Sequence, residues 1–193
     1  MKAGARIIAI LGLCSAIARL SFGQAGGGVS ELISAQRDAQ NAFAALDGVW
    51  RGPAWTILPS GEKRDAIQTE RVGLMLVGSL RVIEGRSFVA DGTLVFDDLS
   101  IISFAPETKT YWLRSYALGR WGDFPLKVIS NGFIWEIPLG RVTLRYTATV
   151  KDGVWHEIGE SIATGKEPVR FLEMNLRRIA DTDWPSQGAV LPK

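Results

Sequence analysis

The chain has 193 residues, of which 47% are hydrophobic and 22% are charged. This length suits one domain with a core large enough to fold alone, and this composition is typical of a globular protein and excludes a disordered chain. The formal net charge of +2 is too small to indicate a nucleic-acid partner.

Residues 1–23 have the pattern of a cleavable secretion signal. Lys2 and Arg6 form a short positive region, and the run from Ile7 to Ala18 is almost wholly apolar but too short to span a bilayer. We therefore expect a periplasmic or secreted protein without a membrane span. The alternative is an amphipathic N-terminal helix on a cytosolic protein.

Removal of this segment changes the charge and the cysteine content of the chain. The segment holds three basic residues and no acidic residue, so the formal net charge falls from +2 to −1. It also contains Cys14, the single cysteine, so the mature protein is expected to have no disulfide bond. A lipid anchor on Cys14 is the alternative, but Leu13 before it and its place inside the apolar run argue against one.

Residues 24–46 are expected to form a spacer and a short helix. Gly26-Gly27-Gly28 indicates a flexible spacer, and Ser30 suits the N-cap of the helix. The apolar residues that recur at helical spacing are Leu32, Ala35, Ala39, Ala42, Phe43 and Leu46. We expect this helix to pack against, or plug, the structure that follows.

From Asp47 the pattern changes to strands and tight turns. The predicted strands are Gly48 to Leu58, Arg64 to Val77, Ser79 to Val89, Thr93 to Phe104, Thr110 to Leu118, Phe124 to Ile129, Phe133 to Pro138, Arg141 to Val150, Val154 to Ala163 and Val169 to Ile179. Asn131-Gly132 is a strong hairpin signal. Since closure removes exposed strand edges, the pattern predicts an all-β protein with a single antiparallel up-and-down barrel of about ten strands over 47–179. An irregular tail is expected over 180–193.

The start of the first strand resembles that of a known barrel group. The run Asp47-Gly48-Val49-Trp50-Arg51-Gly52 is similar to the glycine-x-tryptophan opening of the calycins, which include lipocalins and fatty-acid-binding proteins. Gly52, together with Leu176-Arg177-Arg178 at the end of the last strand, makes the chain similar to nitrobindin-like barrels and to a related family of uncharacterised bacterial secreted barrels. The resemblance implies that Trp50 closes the barrel base, with Arg177 or Arg178 stacked on it.

The resemblance also bears on haem and metal. Nitrobindins bind haem through a histidine early in the last strand, and the matching position here is Phe171, which cannot ligate iron. We therefore expect no haem and no other cofactor. The single histidine, His156, precedes Glu160 by four residues, which is about 13 Å along a strand, so the two cannot share a metal ion.

The candidate ligand-binding residues are aromatic or charged side chains within strands. Trp112, Arg114 and Tyr116 alternate along one face of a strand and are the leading candidates for a lumen wall. The further candidates are Arg145, His156 and Glu173. The loop of residues 119–123, with Trp121, is expected at the barrel mouth. Alternation alone leaves open which face of each strand lines the lumen.

The leading functional hypothesis is an exported barrel that binds a small hydrophobic or aromatic molecule in its lumen. One alternative is a cofactor-free isomerase or cyclase that uses Glu173, His156 or Arg145. The other is a structural barrel filled by its own side chains. No nucleophile elbow or phosphate loop is present, and the adjacent Asp97 and Asp98 are expected to point to opposite faces and to be solvated.

Overall fold

The computed structural model describes residues 26–187 and Val190. The predicted signal segment, with Cys14, lies outside the described residues. Among the helices that are described, none has an apolar stretch long enough to cross a membrane.

The N-terminal helix is longer than expected. α1 spans Gly26–Gln40 and continues directly into a 3-10 helix over Asn41–Leu46. The glycine run is therefore helical, and Ser30 lies inside α1 and does not cap it. Once a helix is nucleated, adding a residue at its end costs little, which explains how a helix held against the barrel by its C-terminal part extends into weak helix formers.

Ten strands follow the helix, as predicted. They are β1 Gly48–Ile57, β2 Lys63–Met75, β3 Leu80–Phe88, β4 Leu94–Ala105, β5 Thr110–Ala117, β6 Arg120–Ile129, β7 Gly132–Leu139, β8 Val142–Lys151, β9 Val154–Ala163 and β10 Val169–Ala180. The prediction of a loop over residues 119–123 is wrong. Tyr116 pairs with Trp121 across a tight turn at Leu118-Gly119, so β6 already begins at Arg120.

The strands form one closed antiparallel barrel. Each strand pairs with its neighbours in sequence, and β1 pairs with β10 to close the ring. The predicted all-β up-and-down barrel is thus confirmed. Since β1 leaves the helix and the strands alternate in direction, the turns at 58–62, 89–93, 118–119, 140–141 and 164–168 share the end farthest from the helix. We call this end the mouth.

Trp50 lies in the core at the opposite end, as predicted. It is fully buried, its indole Nε1 donates a hydrogen bond to the Leu46 carbonyl at 2.7 Å, and its ring meets that of Trp155 edge to face. The expected stacking of Arg177 or Arg178 on Trp50 is wrong. Arg178 instead packs over Gly48, where a β-carbon would lie 2.6 Å from the arginine Nε, and donates a hydrogen bond to the Asp47 carbonyl.

The arginine that secures the barrel base comes from β3. Arg81 is 1% exposed and donates hydrogen bonds to both carboxylate oxygens of Asp47, at 2.7 and 3.0 Å, and to the Gln40 carbonyl at 2.6 Å. Gln40 in turn donates to the Ile102 carbonyl on β4. Phe43 packs between the barrel rings of Tyr111 and Phe133 at centroid distances of 5.2 and 5.9 Å. The helix therefore plugs this end of the barrel, as expected.

Candidate functional site

The three leading candidates on β5 lie on the outside of the barrel. Leu113 is 3% exposed and belongs to the core, which fixes its face of the strand as the inner one. Trp112, Arg114 and Tyr116 share the opposite face. They do not line the lumen, contrary to expectation. Both faces of this strand carry aromatic residues, so alternation alone does not identify the inner face.

Arg114 belongs to a polar cluster on this outer surface. Its guanidinium donates two hydrogen bonds of 2.6 Å to the Asp123 carboxylate and lies 5.5 Å from the ring centroid of Trp121. The hydrogen bonds from Arg114 lower the pKa of Asp123. All three side chains are well exposed, which is the usual environment of a surface ion pair.

The other three candidates also face outward. Arg145 pairs with Glu136 at 2.7 Å, on the side of β8 opposite the fully buried Ala148. His156 Nε2 lies 2.9 Å from Glu173 Oε1. Hydrogen bonding by His156 lowers the pKa of Glu173. The structure thus brings His156 and Glu173 together, but outside the lumen. A ligand contact by any of the six candidates stays a prediction.

An open groove crosses the outer wall beside Glu173. Its volume is about 490 Å³, and its lining includes Trp55, Ile67, Phe88, Glu173 and Asn175. These side chains come from β1, β2, β3 and β10. The groove offers apolar surface, but its two acids are already paired, Glu173 with His156 and Arg170, and Asp65 with Lys63.

Inside the barrel, one wall is polar. The inward side chains of β2, β3 and β4 include Gln68, Glu70, Ser87, Asp98 and Ser100, which we call the polar wall. A chain of hydrogen bonds runs from the Ser87 hydroxyl to the Gln68 carbonyl oxygen and from the Gln68 amide to Glu70 Oε1 at 2.6 Å. Glu70 is 6% exposed, and its Oε2 is the one buried side-chain oxygen or nitrogen left without a hydrogen-bond partner in the part of the chain that the structure describes.

Glu70 and Asp98 meet over Gly85 on the strand between them. A β-carbon at residue 85 would lie 2.9 Å from both carboxylate oxygens of Glu70 and closer still to Asp98 Oδ1. The other Asp98 oxygen accepts a hydrogen bond from the Ser100 hydroxyl at 3.2 Å. The absence of a side chain at residue 85 therefore leaves the space in which the two carboxyl groups approach each other.

A third carboxyl group reaches the lumen from β9. Glu157 is 9% exposed and accepts a hydrogen bond from the Trp155 indole Nε1 at 3.3 Å. We refer to Glu70, Asp98 and Glu157 as the three lumen carboxyls. The sites of Glu70 and Glu157 are close enough for their charges to interact with Asp98 and with each other.

Burial raises the pKa of each lumen carboxyl. The pKa of Glu157 rises to about 7 and that of Asp98 to about 6. The pKa of Glu70 lies well above its usual value, because burial is reinforced by the negative charge of Asp98 and only partly opposed by the Gln68 hydrogen bond. Close carboxyl groups in a low-dielectric site cannot all ionise, so part of this cluster is protonated near neutral pH.

The opposite wall of the lumen is aromatic. Phe124 lies 5.3 Å from Trp135, Trp135 stacks on Tyr146 at 4.2 Å and 9°, and Tyr146 meets Phe171 edge to face at 5.6 Å. We call these four residues of β6, β7, β8 and β10 the aromatic wall. Phe171 is thus a wall residue of the lumen.

The terminal rings of this wall lie against glycines. Ring carbons of Phe124 come within 2.6 Å of the point where Gly122 would carry a β-carbon, and those of Phe171 within 2.9 Å of the equivalent point at Gly159. Both rings therefore fold back onto the barrel wall. In a ring of ten strands β3 lies across from β8, so the polar wall and the aromatic wall face each other.

The lumen carboxyls are not among the site residues predicted from the sequence. Asp97 and Asp98 do point to opposite faces, but Asp98 is inside the barrel and is not solvated as expected. One signal was present in β9, where Glu157 shares a strand face with Trp155, a residue typical of cores. In β2, Glu70 likewise shares a face with Val72, which is fully buried.

Comparison with known proteins supports the fold. No family model matches the chain, and no curated protein matches it. The chain is similar to the crystal structure of Rv2717c from M. tuberculosis, with a TM-score of 0.56 and 14% sequence identity over 73% of this chain and 97% of that chain. At this identity the likeness shows a shared barrel fold alone.

Proposed function

We propose that this barrel binds a small, largely apolar molecule in its lumen, between the polar wall and the aromatic wall. The observation that carries the proposal is the partial exposure of Phe124, Trp135, Tyr146 and Phe171. These rings point inward, and their partial exposure supports a solvent-accessible space inside the barrel. Folding of the end rings onto glycines keeps them against the wall.

The chemistry of the lumen supports the same proposal. Small-molecule sites are concave and mostly apolar, with a few polar groups that orient the ligand. Here the aromatic wall supplies the apolar contact area, and Glu70 supplies a buried oxygen without a partner. The outer groove lacks such a group, because Glu173 is already bonded to His156 and Arg170, and Asp65 is paired with Lys63.

The proposal also covers where the protein acts and which barrel family it is related to. Residues 1–23 support action in the periplasm or outside the cell. The run from Gly48 to Gly52 supports kinship with nitrobindin-like barrels. Haem is not the proposed ligand, because Phe171 stands where the ligating histidine would be and its ring belongs to the aromatic wall.

Native mass spectrometry of the protein purified from its own host tests the proposal. We expect one small molecule per chain, released on gentle denaturation. Replacing Ser161, which shares the inner face of β9 with Glu157, by tryptophan fills the lumen near the mouth and should abolish the bound mass. The matched control is Glu160→Trp, one residue away on the outer face, which should retain it. A bound mass in both variants would place the ligand elsewhere.

A second candidate function is acid–base catalysis without a cofactor. It is favoured by Glu157, a buried lumen acid whose pKa of about 7 suits proton transfer at neutral pH. The catalytic hypothesis that uses Glu173, His156 or Arg145 is set aside, because those residues lie on the outer face of the barrel. Conversion of the released molecule by the wild-type protein but not by Glu157→Gln would favour this candidate over simple binding.

A further inference from the structure

We propose that the lumen ligand carries a positively charged ammonium group, which Glu70 and Asp98 hold, with the charge of Glu157 nearby, while its apolar part lies on the aromatic wall. The inference rests on the proposed lumen binding and goes further by naming the charge and the chemical class of the ligand. It follows from the geometry of the lumen carboxyls, from the lack of a basic side chain beside them and from the aromatic wall that faces them.

The first observation is the unsatisfied oxygen of Glu70. Oε1 is held by Gln68, whereas the buried Oε2 has no partner in the described part of the chain. A buried acceptor without a donor is costly, and a ligand N–H group placed beside it removes that cost. Asp98 Oδ1 meets the same space above Gly85, so one ammonium group can reach both carboxyls.

The second observation is that no basic side chain neutralises this site. The ion pairs formed within residues 26–187 do not include any of the three lumen carboxyls. Arg81 points inward but is committed to Asp47 and Gln40 at the helix end. Arg64 shares the inner face of β2 with Glu70 but precedes it by six residues, which is about 20 Å along a strand. A neutral ligand would leave the carboxyls repelling one another, whereas a cation relieves that repulsion.

The third observation favours an organic cation. The aromatic wall presents the rings of Trp135, Tyr146 and Phe171 to the lumen, and aromatic faces attract ammonium groups. Among the described residues, the His, Asp and Glu side chains do not form a group of three or more that is arranged to hold a metal ion. An amine attached to a ring or a short apolar chain matches both walls at once.

Binding of a cation must release protons. Because burial keeps the lumen carboxyls partly protonated near pH 7, an incoming ammonium group displaces those protons. Affinity should therefore rise with pH between about 5 and 8, by up to tenfold per unit for each proton released. The charged or titratable groups that face or adjoin the site are Glu84 on β3, Asp97 on β4, Tyr146 on β8 and, toward the mouth, Arg64 on β2 and Arg120 on β6.

Matched probes separate this inference from the proposed function. The full chain is titrated calorimetrically with phenethylamine, 2-phenylethanol, phenylacetate and calcium ion. The first three carry the same phenyl ring on a short chain that ends in a cation, a neutral group or an anion, and calcium tests a metal ion alone. We expect phenethylamine to bind at least about tenfold more tightly than the alcohol, and phenylacetate not to bind. Cyclohexylamine and cyclohexanol provide a second pair with a different apolar part.

The outcomes are distinct. Equal binding of amines and alcohols, tighter binding of phenylacetate, or binding of calcium alone would overturn the inference, and the first two would leave lumen binding intact. Binding of no probe would overturn the inference, and an apo mass for the host-purified protein would overturn lumen binding as well. An amine affinity that does not change from pH 5 to pH 8 would also overturn it, because an alkylammonium group stays charged over that range, as lysine does.

Variants locate the effect. Glu70→Gln and Glu157→Gln keep the shape of the side chain but remove its charge, and each should weaken amine binding by about tenfold or more while leaving alcohol binding within about threefold. Glu136→Gln, on the outer face, is the control and should change neither affinity. Circular dichroism checks that each variant is folded. Unchanged amine affinity in both lumen variants would contradict the inference.

Discussion

Glu70 and Asp98, on strands β2 and β4, place carboxylate oxygens in the space that a side chain at Gly85 on β3 would occupy. Two acidic groups that approach over a glycine inside a barrel are a costly arrangement for folding. Such groups cluster at functional sites because their protonation is coupled to what they bind.

Gly85→Ala should destabilise the protein by filling the space in which Glu70 and Asp98 meet. The new β-carbon displaces both carboxyl groups, and overpacking of this kind costs about 1–3 kcal/mol of the free energy of unfolding, measured by urea denaturation. In an Asp98→Ala background the alanine at residue 85 should cost at least about 0.5 kcal/mol less, because the closest clash is gone. An identical cost in both backgrounds would mean that the carboxyls do not meet over Gly85.

The free energy of unfolding without ligand should fall as pH rises from 5 to 8. The folded protein binds more protons than the unfolded chain wherever a carboxyl has a raised pKa, so the contribution is fully present below the unfolded pKa and is lost as pH passes the folded one. For Glu157 that window runs from 4.5 to about 7, and the loss is on the order of 3 kcal/mol. Denaturation at each pH should show a smaller decline for Glu157→Gln than for Glu136→Gln. A stability that rises over this range would refute the assignment.

Arg81→Met should be among the most damaging single changes at the barrel base. It leaves Asp47 without its bidentate partner and the Gln40 carbonyl without a donor, which should cost roughly 2–5 kcal/mol of stability. Arg145→Met removes an exposed pair with Glu136 and should cost no more than about 1 kcal/mol. Equal losses in thermal denaturation would show that the helix is not tied to the barrel through Arg81.

Arg114→Ala and His156→Ala should leave lumen binding unchanged, because both side chains lie on the outer face. Trp135→Ala, which interrupts the aromatic wall, should weaken binding of the same amine by about tenfold or more. The reverse pattern, with loss only in the outer variants, would move the site to the outer surface near Glu173.

The barrel could be predicted from sequence because its signals are local. Asn131-Gly132 and the other turns mark each reversal, and the regular spacing of ten strands requires closure to remove edges. The predicted start of the helix was wrong because the glycines at its beginning are weak helix formers. Only packing of the other end of the helix against the barrel explains their helical conformation.

The candidate site could not be predicted because it depends on the phase of each strand. In β5 the inner face carries Tyr111 and Leu113, and the outer face carries Trp112, Arg114 and Tyr116, so both faces look suitable for a lumen. The lumen carboxyls come from three strands far apart in sequence. Only closure of the ring brings Glu157 on β9 toward Glu70 and Asp98.

The most direct test of the central claim is a crystal structure of the protein purified from its own host and soaked with phenethylamine. We predict ligand density between the two walls, with its ammonium nitrogen within hydrogen-bond distance of Glu70 Oε2 and its ring against Trp135 or Tyr146. A lumen filled by the protein's own side chains, or density confined to the outer groove beside Trp55, would contradict the account.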